Sequence, residues 1–289
     1  MRKLNDCLRE QFGCKVYKIA LNGGFTCPTR DGTLDTRGCI FCSAGGSGEF
    51  AGDSWLSITE QIRQGIKLVE KKNQDGKYIA YFQAYTGTYA PVSKLRKLYE
   101  EAIGHPDVVA LSIATRPDCL PEETLDLLSE LNKVKPVWVE LGLQTIHEKT
   151  AEYIRRGYPL SVYDKAVKEL RQREIQIITH LIIGLPGESK EEICESVRYV
   201  CEGRTDGVKL QLLHILQGTD LEREYSEGRI HALTEDEYID ILKACVGCIP
   251  DSVVVHRLTG DGDKRILIAP MWSADKKHVL NRISREIQF

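Results

Sequence analysis

Three cysteines, Cys27, Cys39 and Cys42, stand in a C-x11-C-x2-C spacing inside a loop rich in Gly, Thr and Asp. Thiolates two residues apart bind adjacent corners of a metal centre, and a third carried in by a flexible segment closes the cradle. On a four-iron cluster, three thiolates leave one iron with an open position, which suits catalysis better than electron storage. Zinc also accepts thiolates, but a structural zinc site wants four protein ligands. Cys245 and Cys248 could complete such a site with Cys39 and Cys42, or ligate a second cluster. The zinc arrangement leaves Cys27 and its long loop without a role. The pair also falls in an amphipathic helical pattern, Tyr238, Ile239, Ile241, Leu242, Cys245 and Val246, where buried thiols are the ordinary outcome. Cys7, Cys14, Cys119, Cys194 and Cys201 have no close cysteine neighbour and are expected to be structural.

The elements that must position this loop follow from hydrophobic periodicity. Strand-like runs rich in β-branched and aromatic residues occur at 16–21, 78–83, 108–114, 137–143, 176–183 and 208–214. From the second onward they start roughly 30 to 40 residues apart, the spacing of repeated βα units with parallel strands. Amphipathic helices are expected over 59–72, 121–131, 161–173 and 190–201, the last after the turn Gly184-Leu185-Pro186-Gly187. Six such units can curl into a partial (β/α)6 barrel of the TIM type, with strands inside and helices outside. Sites in parallel α/β folds gather at the C-terminal ends of the strands, and the cysteine loop, within 22–53, follows the first strand. A helix over 234–247, a short strand over 252–258 and a terminal helix near 273–287 form a C-terminal α/β extension. The expected division is a core of residues 1–221 and an extension, 222–289, packed on the same domain.

Composition sets the wider limits. The chain has 289 residues, 42% hydrophobic and 28% charged, enough for a sizeable core. Its longest apolar stretches are far too short to cross a bilayer, so no membrane partner is expected. No apolar run follows the N-terminal Met1-Arg2-Lys3, so no export leader and a cytoplasmic location are expected. In that reducing compartment the ten cysteines read as thiols or metal ligands, not disulfides. The net charge of −3 argues against indiscriminate coating of nucleic acid. Residues 264–289 nevertheless carry six basic side chains against Asp275 and Glu286. Such a basic end can place a phosphate backbone, or be an ordinary solvated helix face.

The cysteine spacing, with Phe41 before the last cysteine, resembles the radical S-adenosylmethionine (SAM) superfamily. The long first spacing is similar to the branch containing the catalytic subunit of Elongator. The likeness continues in order through Tyr81-Phe82-Gln83-Ala84-Tyr85-Thr86-Gly87-Thr88 and Ile113-Ala114-Thr115-Arg116-Pro117-Asp118. It extends through Glu140-Leu141-Gly142-Leu143-Gln144-Thr145, Arg156-Gly157-Tyr158 and Ile182-Ile183-Gly184-Leu185-Pro186-Gly187-Glu188. In the tail, Arg257-Leu258-Thr259-Gly260-Asp261 and Ala269-Pro270-Met271-Trp272 resemble the YhcC/YtqA-type, MnmL-like group.

That resemblance implies a [4Fe–4S] cluster on Cys27, Cys39 and Cys42, with SAM bound at its open iron. It implies that the backbone of Gln83, Ala84 and Tyr85 holds the SAM amino group, although this sequence lacks the usual glycines there. Gln144 and His180 would reach the ribose, Arg156 would pair with the carboxylate, and Glu140 would neutralise the ammonium or orient Gln144. The turn at 184–187 would admit the adenine. Tyr85, Tyr89 and Arg116 are expected to line the pocket. The implied reaction is reductive cleavage of SAM to a 5′-deoxyadenosyl radical that takes a hydrogen atom from substrate. The branch suggests tRNA as substrate, at a carboxymethylaminomethyl-type side chain on the wobble uridine, with flavodoxin or ferredoxin as electron donor. The rivals are a radical enzyme acting on a small metabolite or peptide, and a non-catalytic zinc-stabilised RNA- or protein-binding module.

Overall fold

The computed structural model describes residues 2–73, 76–260 and 262–287; Asp261 of the quoted tail motif lies outside them. The chain opens with β1 (Arg2–Lys3) and α1 (Leu4–Phe12), which ends at Gly13 in the left-handed region. The repeating units are β2 (Val16–Leu21) and α2 (Ile58–Val69), β3 (Lys77–Phe82) and α3 (Val92–Ile103), and β4 (Val108–Thr115) and α4 (Glu122–Asn132). They continue with β5 (Val137–Gln144), α5 (Glu148–Tyr153) and α6 (Leu160–Gln172), then β6 (Gln176–Ile183) and α7 (Lys190–Cys201), and β7 (Gly207–Leu212). The remainder is β8 (Ile215–Leu216), α8 (Asp220–Ser226), α9 (Glu235–Gly247), β9 (Val254–Arg257), β10 (Leu267–Ala269) and α10 (Lys276–Glu286). Ser189 with Glu192, and Thr234 with Glu237, form capping boxes that start α7 and α9 where their apolar periodicity begins.

The six expected strands are present within a residue or two of their expected ends. They belong, however, to a larger sheet. Eight parallel strands run in the order β1-β9-β7-β6-β5-β4-β3-β2. The short strand expected in the C-terminal extension is β9, paired to β7 in the main sheet, and β1 then pairs to β9. The α/β barrel-type fold is therefore as expected, widened by two short strands contributed from opposite ends of the chain.

The sheet is strongly curled. β2 and β7 stand five places apart, about 24 Å if the sheet were flat. Yet Lys18 of β2 and Lys209 of β7 both bond to the carboxylate of Glu140 on β5. Alternation along the strands gives the sheet two distinct faces. Ile19, Phe82, Leu111, Val139, Ile177 and Leu210 belong to the main core, together with apolar residues of the surrounding helices. On the other face Val16, Ile79, Ala110, Trp138 and Ile178 form one apolar layer with Leu8 of α1, which packs across it like a stopper. Two residues further along each strand, that face becomes polar.

Candidate active site

Residues 22–57 contain no strand and, until Ser57 caps α2, no helix. Specific contacts hold this segment in shape. The Arg30 guanidinium donates to the carbonyls of Cys42 at 2.7 Å and Ser43 at 2.6 Å, clamping the C-x2-C end of the loop to its beginning. Gly38 has φ 75°, and a Cβ there would stand 2.9 Å from Arg30 Nε. Cys27 Sγ lies 3.1 Å from Thr29 Oγ1.

The loop docks on the turn that follows β3. Tyr85 donates its N–H to the Gly46 carbonyl at 2.8 Å and its hydroxyl to the Ala44 carbonyl at 2.6 Å, while Gln83 Nε2 donates to the Ser47 carbonyl at 2.8 Å. A Cβ on Gly46 would stand 2.3 Å from the Tyr85 ring. On its other side the Ile40 N–H donates to the Ile154 carbonyl at 3.3 Å, and the Leu221 N–H to the Ile40 carbonyl at 3.1 Å. Tyr85 and Gln144 both hold left-handed backbone, at φ 58° and 71°. Non-glycine residues keep such conformations when their surroundings enforce them, often at ligand sites.

Of the ten residues expected to hold the cluster and SAM, all except Ala84 line one cavity of about 830 Å³. Ala84 is buried, and Gly48 packs so closely on it that a Cβ there would stand 2.6 Å from the Ala84 Cβ. Burial pushes the Cys39 thiol up to about 12; Cys42 and Cys27 push it further, and Arg116 and Arg30 pull it back. Burial also raises Cys42, against the pull of Arg30. Thiolates in this cradle therefore need positive charge beyond that of the two arginines, as a bound iron centre provides. Gln144 Oε1 is buried without a hydrogen-bond partner, a free acceptor suited to a ligand hydroxyl. The donor types present, three cysteines and an unsatisfied amide oxygen on one cavity, fit the implied cluster and SAM. Among the described residues, no three His, Cys, Asp or Glu side chains are grouped as holders of a metal ion.

Several sequence expectations meet a different geometry. Arg156 is nearly fully buried and donates to the carbonyls of Tyr158 and Thr145, at 3.0 and 2.6 Å, and to Glu148 at 3.1 Å. Its guanidinium thus braces the segment after β5. Arg116, at the end of β4, also lines the cavity and is oriented by Asp118 at 2.9 and 2.7 Å. Tyr89 lies off the cavity and bonds Thr33 at 2.8 Å. The turn at 184–187 is off it too, and a Cβ on Gly184 would meet Leu233 at 2.9 Å. Its glycine admits a neighbouring side chain, not a ligand. Cys245 and Cys248 lie with Cys194 where α9 packs on α7, away from Cys39 and Cys42. In the tail, Arg282 pairs with Glu235, Asp236 and Glu286, and Arg265 with Asp263. The basic surface is correspondingly smaller than the sequence suggests.

Below the cysteines the polar layer converges on Glu140, which has no exposed surface. Its carboxylate accepts from Lys18 and Lys209, from Ser112 at 2.6 Å and from His180 Nε2 at 2.7 Å. Burial alone would raise the Glu140 pKa, but Lys18, Lys209 and His180 hold it well below the usual carboxylate range. Burial lowers Lys209 to about 7 against the pull of Glu140. Burial and then Lys209 lower His180 to about 4. The neutral ring donates from Nε2 to Glu140, with Gln211 at 3.3 Å from Nδ1. Glu140 thus organises lysines rather than Gln144. Sequence reasoning passed over Lys18, Lys209, Tyr81 and His256, all of which line this space. The available signal was a lysine inside each of two largely apolar strands, Val16–Leu21 and Gly207–Leu212.

Comparison with known proteins agrees with this architecture. The Radical SAM superfamily model matches residues 36–200, and the Radical_SAM C-terminal domain model matches 205–288. The chain belongs to the radical SAM superfamily and is a radical SAM enzyme. Among individual relatives it is 46% identical to the uncharacterized protein YtqA of Bacillus subtilis, over 99% of this chain and 88% of the relative. It is 38% identical to protein YhcC of Escherichia coli, over 93% of this chain and 86% of the relative. A tRNA uridine(34) acetyltransferase of Methanocaldococcus jannaschii is 28% identical over 55% of this chain and 30% of its own length. Among solved structures, archaeal Elp3 of Methanocaldococcus infernus superposes with a TM-score of 0.70 at 18% identity, over 94% of this chain and 63% of that one. That last likeness concerns the fold. No helix among the described residues is long and apolar enough to cross a membrane.

Proposed function

We propose that Cys27, Cys39 and Cys42 hold a [4Fe–4S] cluster, that SAM occupies the adjoining part of the cavity, and that the substrate is a tRNA wobble uridine bearing a carboxymethylaminomethyl-type side chain at position 5. The observation that carries the reading is the opening of all three thiols onto the cavity that Gln83, Gln144 and His180 also line. When bound, the cluster and SAM supply a 5′-deoxyadenosyl radical that removes a hydrogen atom from substrate. The protein's part is placement and exclusion of water. Arg30 fixes the ligand loop, Tyr85 and Gln83 anchor it to the sheet, and Gln144 offers its unsatisfied oxygen to the ribose. Arg156 keeps the post-β5 segment in place. The tRNA reading is supported by the branch, whose members include proteins named as tRNA uridine(34) acetyltransferases. Residues 1–221 form the radical SAM core and 222–289 the extension, working in the cytoplasm with flavodoxin or ferredoxin as reductant.

Two experiments test this. Anaerobic reconstitution with iron and sulfide should give a brown protein that forms 5′-deoxyadenosine from SAM with dithionite; a colourless, zinc-loaded protein would favour a binding module. Nucleosides of tRNA from a deletion strain should retain the unprocessed wobble side chain. An unchanged profile removes the tRNA reading and leaves a small metabolite or peptide as substrate.

A further inference from the structure

The inward polar layer carries more positive than negative charge. Lys18, from β2, and Lys209, from β7, meet one carboxylate, Glu140, and all three line the cavity. Arg257 of β9 lines the same space. Each ammonium has three N–H donors. Besides Glu140, Lys18 bonds Ser112 at 3.3 Å and Lys209 bonds the Tyr81 hydroxyl at 3.2 Å. The Tyr81 ring lies under both, 4.9 and 4.5 Å from the ammonium nitrogens. His256, which lines the same space, keeps a buried Nδ1 without a hydrogen-bond partner.

A structural ion pair has no use for the second lysine. Glu140 with one lysine, Ser112 and His180 would already be neutral and bonded, whereas an additional buried ammonium brings a desolvation cost that a single carboxylate does not offset twice. The apolar layer beneath, Trp138, Ile178 and Leu8 among it, closes the lower end of the space. The floor is thus a blind, cation-rich end of the cavity whose cysteine-lined part lies above.

The geometry points to a carboxylate-binding subsite on this floor, in which Lys18 and Lys209 grip the acidic end of the substrate's side chain and set its reacting carbon below the cofactor region. The assignment rests on the proposed wobble-uridine reading and deepens it by naming the residues that select the acidic arm. A single carboxylate balances the surplus charge of the two lysines over Glu140. It is also slim enough to pass down an interior where Lys209 is buried. Specificity then comes mainly from penalty: a substrate without the acid leaves a desolvated cation unmatched.

The test uses the reconstituted enzyme and two tRNAs, one with a carboxymethylaminomethyl arm and one with that carboxylate reduced to the primary alcohol. The wild-type protein should bind the acid at least about tenfold more tightly, a difference of about 1.4 kcal/mol. Lys209→Met and Lys18→Met should each bring that ratio toward one, and Lys209→Arg should keep most of it. Each single variant leaves Glu140 one lysine partner, and the acid-versus-alcohol comparison on the wild type keeps the test decisive should either variant fail to fold. In parallel, ligand-observed NMR on the wild-type protein should detect N-acetylglycinate but not neutral N-methylacetamide, with the signal lost in Lys209→Met. Absence of wobble-dependent tRNA binding with this fragment preference intact removes the tRNA reading and keeps the anion-binding floor. Equal binding of the acid and alcohol tRNAs by the wild type, or a preference surviving in both methionine variants, overturns the subsite.

Discussion

Replacing Glu140 by Gln removes the one carboxylate around which the inner layer is arranged. The amide is nearly isosteric and still accepts from Ser112 or His180, so packing is preserved and electrostatics isolated. Breaking a buried ion pair by neutralising one partner costs about 3–5 kcal/mol. The lower end applies, because Lys209 already sits at about 7 beside Glu140 and releases its proton readily once the carboxylate is gone. About 3 kcal/mol corresponds to a fall of roughly 6–12 °C in Tm for a chain of this size. The pH dependence carries a definite sign. Below pH 7 the wild-type native state keeps the Lys209 proton, as the unfolded chain does, so this group adds no slope. In the variant the native Lys209 is neutral while the unfolded chain is protonated, so native stability falls by up to about 1.4 kcal/mol per pH unit as the pH drops. The gap between the two proteins should therefore widen from pH 7 to pH 5.5 and stay constant above pH 8. Circular-dichroism melts and urea titrations of the purified proteins at these pH values measure it. A Glu140→Gln protein within about 0.5 kcal/mol of wild type at pH 7, inside the range of ordinary surface substitutions, or a gap that does not change with pH, would refute the reasoning.

Three further outcomes are expected. Ala at Cys27, Cys39 or Cys42 should remove nearly all iron after reconstitution, measured by iron and sulfide analysis, whereas Cys245→Ala and Cys248→Ala should leave it close to wild type. Gly46→Ala should lose about 2 kcal/mol or more and retain less iron, since it combines left-handed backbone at φ 59° with a Cβ 2.3 Å from the Tyr85 ring. Gly13→Ala, at φ 68° with open space around it, isolates the backbone contribution and should keep its iron. Gln144→Gly should relieve left-handed strain and remove a buried unsatisfied oxygen, raising stability by about 1 kcal/mol, while SAM binding by titration calorimetry weakens about tenfold.

The strands and the cysteine loop were legible in the sequence because their signals are local. β-branched runs mark the strands, turn residues bound them, and two cysteines two apart identify themselves. Hydrophobic alternation did not reveal the inner layer. In Val137–Gln144 the residue Glu140 looks like one polar interruption of an apolar strand, and Lys18 and Lys209 look the same in theirs. Only curling of the sheet brings β2, β5 and β7 to one point, and curl is a property of the whole assembly. β9 was read as a strand but not placed, since a four-residue strand carries no information on which edge it joins. Its neighbour β1, two residues long, carries no strand signal at all.

The layering also explains how a chain holding such costly groups stays folded. Register fixes Lys18 opposite Ile79, Glu140 opposite Ile178 and His180 opposite Lys209, so the charged atoms meet only when every strand is correctly paired. A slip of one residue would turn Lys18 and Glu140 toward the helices and send Val139 into the cavity. The same ion cluster that lowers stability in isolation therefore penalises misregistered sheets more heavily than the native one. Stability is supplied by the apolar face against the helices and by the plug under Leu8, and the polar layer is left free to serve the substrate. Lys209→Met should separate these roles. It removes a depressed lysine whose penalty in the wild type is fully present below pH 7 and fades as the pH rises toward 10.5. The variant should accordingly be at least as stable as wild type at neutral pH and lack the wild-type rise in stability, about 1.4 kcal/mol per pH unit, between pH 7.5 and 9.5. It should also lose preference for an acidic substrate. A variant that is both destabilised and unaltered in preference would show that the second lysine serves the fold and not the ligand.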